Sequence, residues 1–135
     1  MQIFTEEILA KLAANGAATA KAIAEGAEQP DHFPVVKVFN PYGSATWLLT
    51  ESDPDDPDCL YGLCDLGMGS PELGSVLRSE IEELRIKIGT TELPLERDAH
   101  WKATRPISYY AHVARGEGRI VDTVPTPPRR FGRRS

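Results

Sequence analysis

Apolar residues recur at helical spacing near the start of the chain. Ile8, Leu9 and Leu12 fall on one side of a stretch that begins at Thr5. Thr5 suits an N-cap, because its hydroxyl accepts a bond from a first-turn N–H that has no helical partner. Glu6 and Glu7 lie at the positive end of the helix dipole. The pattern predicts a helix over residues 5–15, stopped by Gly16 after Asn15. A second short, Ala-rich helix is expected over 17–28, before the two prolines of QPDHFP break the run. The period then changes to two. Residues 35–40 (VVKVFN) and 45–51 (ATWLLTE) read as strands joined by Pro41-Tyr42-Gly43-Ser44, a β-hairpin. Strict alternation puts Trp47, Leu49 and Glu51 on one face, with Thr46, Leu48 and Thr50 on the other. Residues 59–65 (CLYGLCD) read as a third strand that extends the meander.

The remaining pattern is helical at two places. Ser79 with Glu82 has the spacing of a capping box and predicts a helix over 80–87, with Ile81, Leu84 and Ile88 inward and Gly89 as its stop. Residues 107–115 (ISYYAHVAR) predict a C-terminal helix after Pro106, ended by Gly116 and Gly118. Between them, residues 93–98 and 99–103 read as extended. Residues 52–58 (SDPDDPD) read as a polar loop, and 66–74 (LGMGSPELG) as a Gly-rich connection. The order α–β–β–β–α–β–α with hairpin-like links predicts an α+β fold. Its expected form is a small antiparallel sheet, a meander, packed with N-terminal, middle and C-terminal helices.

Length changes this picture little. With 135 residues and 41% hydrophobic content, the chain is expected to form one domain over residues 1–122. Residues 123–135 hold three prolines and four arginines, a composition that predicts a disordered tail. No apolar run approaches the roughly 18 residues of a membrane span. Glu6 and Glu7 stand where a signal peptide carries positive charge, so a cytoplasmic location is expected. The net charge is −5; the tail is purely basic, which leaves −9 on residues 1–122. Such a body is a poor partner for phosphates, so nucleic acid is expected only at the Arg-rich tail, and a protein partner elsewhere.

Candidate chemistry is sparse. Asp53, Asp55, Asp56 and Asp58 form an acidic loop, but Pro57 interrupts the alternation that a calcium loop needs. Glu96, Asp98 and His100 alternate onto one face if their segment is a strand, a grouping suited to acid–base work or, with Asp53, to a metal-dependent hydrolase. Arg97 is expected to pair with a carboxylate such as Glu51 or Asp53. Cys59 and Cys64 are five residues apart, on opposite faces of a strand, and read as structural thiols rather than a disulfide or metal pair. Gly67, Gly69 and Gly74 match neither G-x-G-x-x-G nor a P-loop, and no cofactor motif is complete. The expected contact surface is the polar cluster Glu51, Asp53, Arg97 and Asp98.

Several strings taken in order carry a resemblance. They are Pro34–Phe39, Ala45–Glu51 with Asp53-Pro54, Tyr61-Gly62-Leu63, Glu72-Leu73-Gly74, Ser79–Arg85, and Leu95–Asp98 with His100-Trp101-Lys102. Together they resemble the bacterial family called Domain of Unknown Function 2958, over about residues 5–121. The chain departs from the family's usual strings at Ser75–Arg78 and at Arg85–Gly89. The resemblance implies small proteins carried on plasmids, conjugative elements and phage-like regions, near genes for DNA transfer or anti-restriction. The expectation is a non-enzymatic binding or accessory protein of such an element, with the small hydrolase as the alternative.

Overall fold

The computed structural model describes residues 2–123. Three helices and seven strands follow in the order α1 (Glu6–Ala24), β1 (Val36–Phe39), β2 (Thr46–Asp53), β3 (Asp56–Asp65), β4 (Glu72–Leu77), α2 (Arg78–Glu83), β5 (Arg85–Ile88), β6 (Thr91–Pro94), β7 (Glu96–Arg97) and α3 (Ile107–Glu117). An antiparallel five-stranded sheet runs β4-β3-β2-β1-β7, and β5-β6 is a separate hairpin. The α+β class and the meander are as the sequence predicts. The disordered tail expected over residues 123–135 lies almost wholly outside the described residues.

Each face of the sheet has its own apolar cluster. On one face Phe4, Leu12, Val36, Val38, Trp47, Leu49, Leu60, Ile81 and Leu95 are buried together under α1, α2 and the β5-β6 hairpin. On the other, Leu48 and Leu63 meet Ile107, Tyr110, Ala111 and Ala114 of α3. Trp101 stacks edge-to-face on Tyr110, with ring centroids 5.8 Å apart.

The N-terminal segment is one helix, not two. Thr5 caps it as expected, its Oγ1 accepting from Ile8 N at 3.2 Å. Gly16 does not stop it. The glycine is buried inside α1, where a Cβ would stand 1.8 Å from the Ser52 carbonyl oxygen. Close approach of helix and strand, rather than a left-handed cap, explains this residue. Beyond Val36 the edge of β2 is not covered by β1, and α1 lies against it there. Asn15 Nδ2 donates to the Thr50 carbonyl at 2.9 Å.

The acidic run is not a loop free of regular structure. β2 and β3 continue through it to a two-residue turn at Pro54-Asp55, with Asp53 opposite Asp56. Asp53 Oδ1 accepts from Asp55 N at 2.8 Å, so the first aspartate builds the turn. The middle helix is shorter and starts earlier than the capping-box spacing implies. Ser79 is inside α2, and its N–H and hydroxyl both donate to the Asp58 carboxylate, at 3.0 and 2.7 Å. Residues 85–88 form a strand because Ile86 and Ile88 alternate with Arg85 and Lys87 and are β-branched. Gly89, with φ of +63°, sits in the two-residue β5-β6 turn rather than at a helix end. β4 begins inside the stretch 66–74, where the pattern predicts only a connection, and runs on through residues 75–77, to which it assigns no element.

Candidate functional site

The α3 face of the sheet is only partly covered. Where α3 begins, a groove of about 550 Å³ remains between α3, the second half of α1 and the sheet. Its floor is Cys59 and Tyr61 of β3 with Leu73 and Ser75 of β4. Thr19, Ala20 and Ile23 of α1 form one wall, and residues 29–32 with Ile107 and Ser108 form another. Glu51, Asp53 and Pro54 close the end next to the β2-β3 turn.

A single extra residue brings Glu51 into this groove. Leu49 pairs with Gly62, yet Glu51 pairs with Tyr61, so Thr50 is the unmatched residue of a β-bulge. The bulge flips Glu51 off the face of Trp47 and Leu49, where alternation placed it, onto the face of Leu48 and Tyr61. Thr50 is held on both sides: Oγ1 donates to the Tyr61 carbonyl at 3.1 Å, and its own carbonyl accepts from Asn15. Glu51 is half-buried and, among the described residues, makes no ion pair. Its charge joins burial, the larger cause, in pushing the Tyr61 phenol above its ordinary value. Burial pushes the Cys64 thiol up as well, on the far side of β3. Cys59 and Cys64 are both free thiols and only half-buried.

The segment over the groove is fixed by α3. Ile107 N donates to the His32 carbonyl at 2.8 Å, and Ser108 N donates to Asp31 Oδ1 at 3.2 Å. The Ser108 hydroxyl also bonds Asp31 Oδ2. Asp31 thus caps α3 from 77 residues away in sequence. His32 Nε2 meets Thr19 Oγ1 at 3.0 Å, which ties the segment to α1.

The four residues expected as one cluster fall at two places. Glu51 and Asp53 line the groove. Arg97 and Asp98 lie at the β7 edge, two strands from β2. Arg97 does not pin Glu51 or Asp53: it stands opposite Val38, level with Trp47, and its guanidinium donates to the carbonyls of Gln2 and Ile3. Asp98 is engaged by Lys37 Nζ at 3.4 Å and by the N–H groups of His100 and Trp101, both at 3.1 Å. Because β7 ends at Arg97, Asp98 opens a turn, and Glu96, Asp98 and His100 are not three residues of one strand face. Asp53 is far from them, at the β2-β3 turn. Among the described residues, no three His, Cys, Asp or Glu side chains gather into a group that holds a metal ion.

The groove also holds Tyr61, His32, Asp31 and Cys59, none of which the sequence pattern marks as a site residue. The alternation of CLYGLC puts Cys59 and Tyr61 on one face, which is the available signal. The bulge and the return of residues 29–32 over the sheet leave none.

Among the described residues, no helix is long and apolar enough to cross a membrane. No curated protein and no solved structure matches the chain. The profile of one family, described as "Protein of unknown function (DUF2958)", matches residues 3–121. Among the described residues this span holds every helix and strand and the whole groove, so the chain belongs to that family.

Proposed function

We propose that this chain is a non-enzymatic binding protein whose groove takes a cationic, partly apolar segment of a protein partner. The observation that carries the reading is Glu51: a half-buried carboxylate without an ion pair among the described residues, set beside Tyr61 on an apolar floor. A carboxylate in such a place is incompletely satisfied, and an arginine or lysine of a ligand supplies the missing charge. Asp53 at the same end adds to the negative field, and Leu73, Ile23 and Tyr61 offer contact to apolar side chains. The same field repels nucleic-acid phosphates. An accessory role on a mobile element, in DNA transfer or anti-restriction, is compatible with a small module of this kind and is part of the proposal.

The test uses a short peptide of alternating arginine and leucine, titrated calorimetrically against the full chain. Binding is expected, with affinity that falls as salt rises. It is expected to weaken about tenfold in Glu51→Gln, the loss of one charge-assisted contact of roughly 1.4 kcal/mol. Equal binding of a glutamate-leucine peptide, or binding indifferent to Glu51→Gln, rejects the reading.

A further inference from the structure

We propose that two copies of this chain pair through the outer edges of their β4 strands, forming one continuous antiparallel sheet across a two-fold axis at Ser75. β4 is an end strand of the five-stranded sheet, and among the described residues no strand covers its outer side. It is six residues long and carries no proline, no lysine and no bulge, and its one charged residue, Glu72, stands at its end. Apolar side chains stand exposed on it and beside it, Leu73 at 40%, Leu77 at 39%, Leu66 at 59% and Met68 at 76%. An edge with these properties is a template for another strand.

The strand's own sequence selects a second copy as that strand. Antiparallel self-pairing of β4 centred on Ser75 sets Leu73 opposite Leu77 and brings Glu72 level with Arg78, the first residue of α2, directly after the strand. Opposite charges and paired leucines both favour a cross-strand contact, and the symmetry makes each pair twice. Glu72 has no ion pair among the described residues. Arg78 holds Glu82 of its own helix at 3.4 Å, with a third of its side chain exposed. Moving the centre by one residue in either direction loses both pairings. Centring on a residue also keeps equivalent faces together, so the two grooves, each floored in part by Leu73 and Ser75, open on the same side. This pairing is independent of what the groove binds.

The full chain is measured by sedimentation equilibrium over a range of concentrations. A mass near twice 14.8 kDa is expected at the upper end. Glu72→Arg and Arg78→Glu each set like charges opposite one another and are expected to weaken the dimer about tenfold. The double variant restores opposite charges and is expected to restore the dimer. Ser75→Cys places a thiol on the axis, where the roughly 4.5–5.5 Å Cα separation of an antiparallel pair is within disulfide reach. Mild oxidation of that variant is expected to give a dimer linked through position 75 of both copies. Mass mapping separates this link from any through Cys59 or Cys64. A monomer at every concentration overturns the proposal. So does a dimer that ignores both charge reversals and gives no link at position 75, because its interface then lies elsewhere.

Discussion

A β-carbon added at Gly16 would meet the Ser52 carbonyl oxygen at 1.8 Å, and that oxygen belongs to backbone fixed in β2. Neither partner can rotate away, so α1 must lift from the strand. Gly16→Ala is expected to destabilise the fold by about 3 kcal/mol, despite alanine's higher helix propensity, lowering Tm by roughly 10 °C. A melting curve at or above that of the parent would mean that α1 does not pack here. The residue shows what local patterning misses. Asn-Gly after an apolar stripe reads as a helix stop, and the tight crossing that needs a glycine is a contact 36 residues away in sequence. Glu51 shows the same limit. Strict alternation assigns it to the Trp47 face, and only the bulge at Thr50, stabilised by Asn15 of α1, turns it into the groove.

Among the elements, the hairpin β1-β2, strand β3 and helix α3 are legible because each carries its own period. The elements that are not legible depend on partners. Asp58 reads as a solvated turn residue, but its carboxylate holds both the N–H and the hydroxyl of Ser79 and so anchors the start of α2. Asp58→Ala and Ser79→Ala are each expected to cost about 1 kcal/mol in urea unfolding. The double variant is expected to cost less than their sum, since each single change already breaks the hydroxyl contact. Full additivity would mean that the contact does not act as a unit. The capping-box spacing of Ser79 and Glu82 therefore finds a real helix for a different reason. Glu80 rather than Glu82 reaches back, its carboxylate accepting from Leu77 N at 3.4 Å. The same helical reading hides β5, although Ile86 and Ile88 alternate with charged residues.

At the scale of the molecule, the stretch after α3 is held back on the sheet by buried polar contacts. Asp65 is 2% exposed and accepts from Gly67 N at 2.8 Å and Ile120 N at 3.0 Å. Trp101 Nε1 donates to the Asp122 carbonyl at 2.7 Å, and Lys37 Nζ pairs with the Asp122 carboxylate. Asp65→Ala leaves the buried Ile120 N–H short of an acceptor, along with the more exposed Gly67 N–H, and is expected to cost about 2 kcal/mol. Hydrogen exchange is expected to show Ile120 losing protection with it; retained protection would assign another acceptor. The sequence offers no sign of this strap, because its anchors lie 55 and 85 residues from the groups they bind. The two ends of the five-stranded sheet are also unequal. β7 pairs with β1 over only two residues, and its own Arg97 is spent on the carbonyls of Gln2 and Ile3, whereas β4 is six residues long and, among the described residues, has no strand on its outer side. A sheet adhesive at both ends would recruit copies without limit and grow into fibres. One adhesive end permits a single joining event, after which the ten-stranded body presents a short, blunted strand at each extremity, and assembly terminates at two.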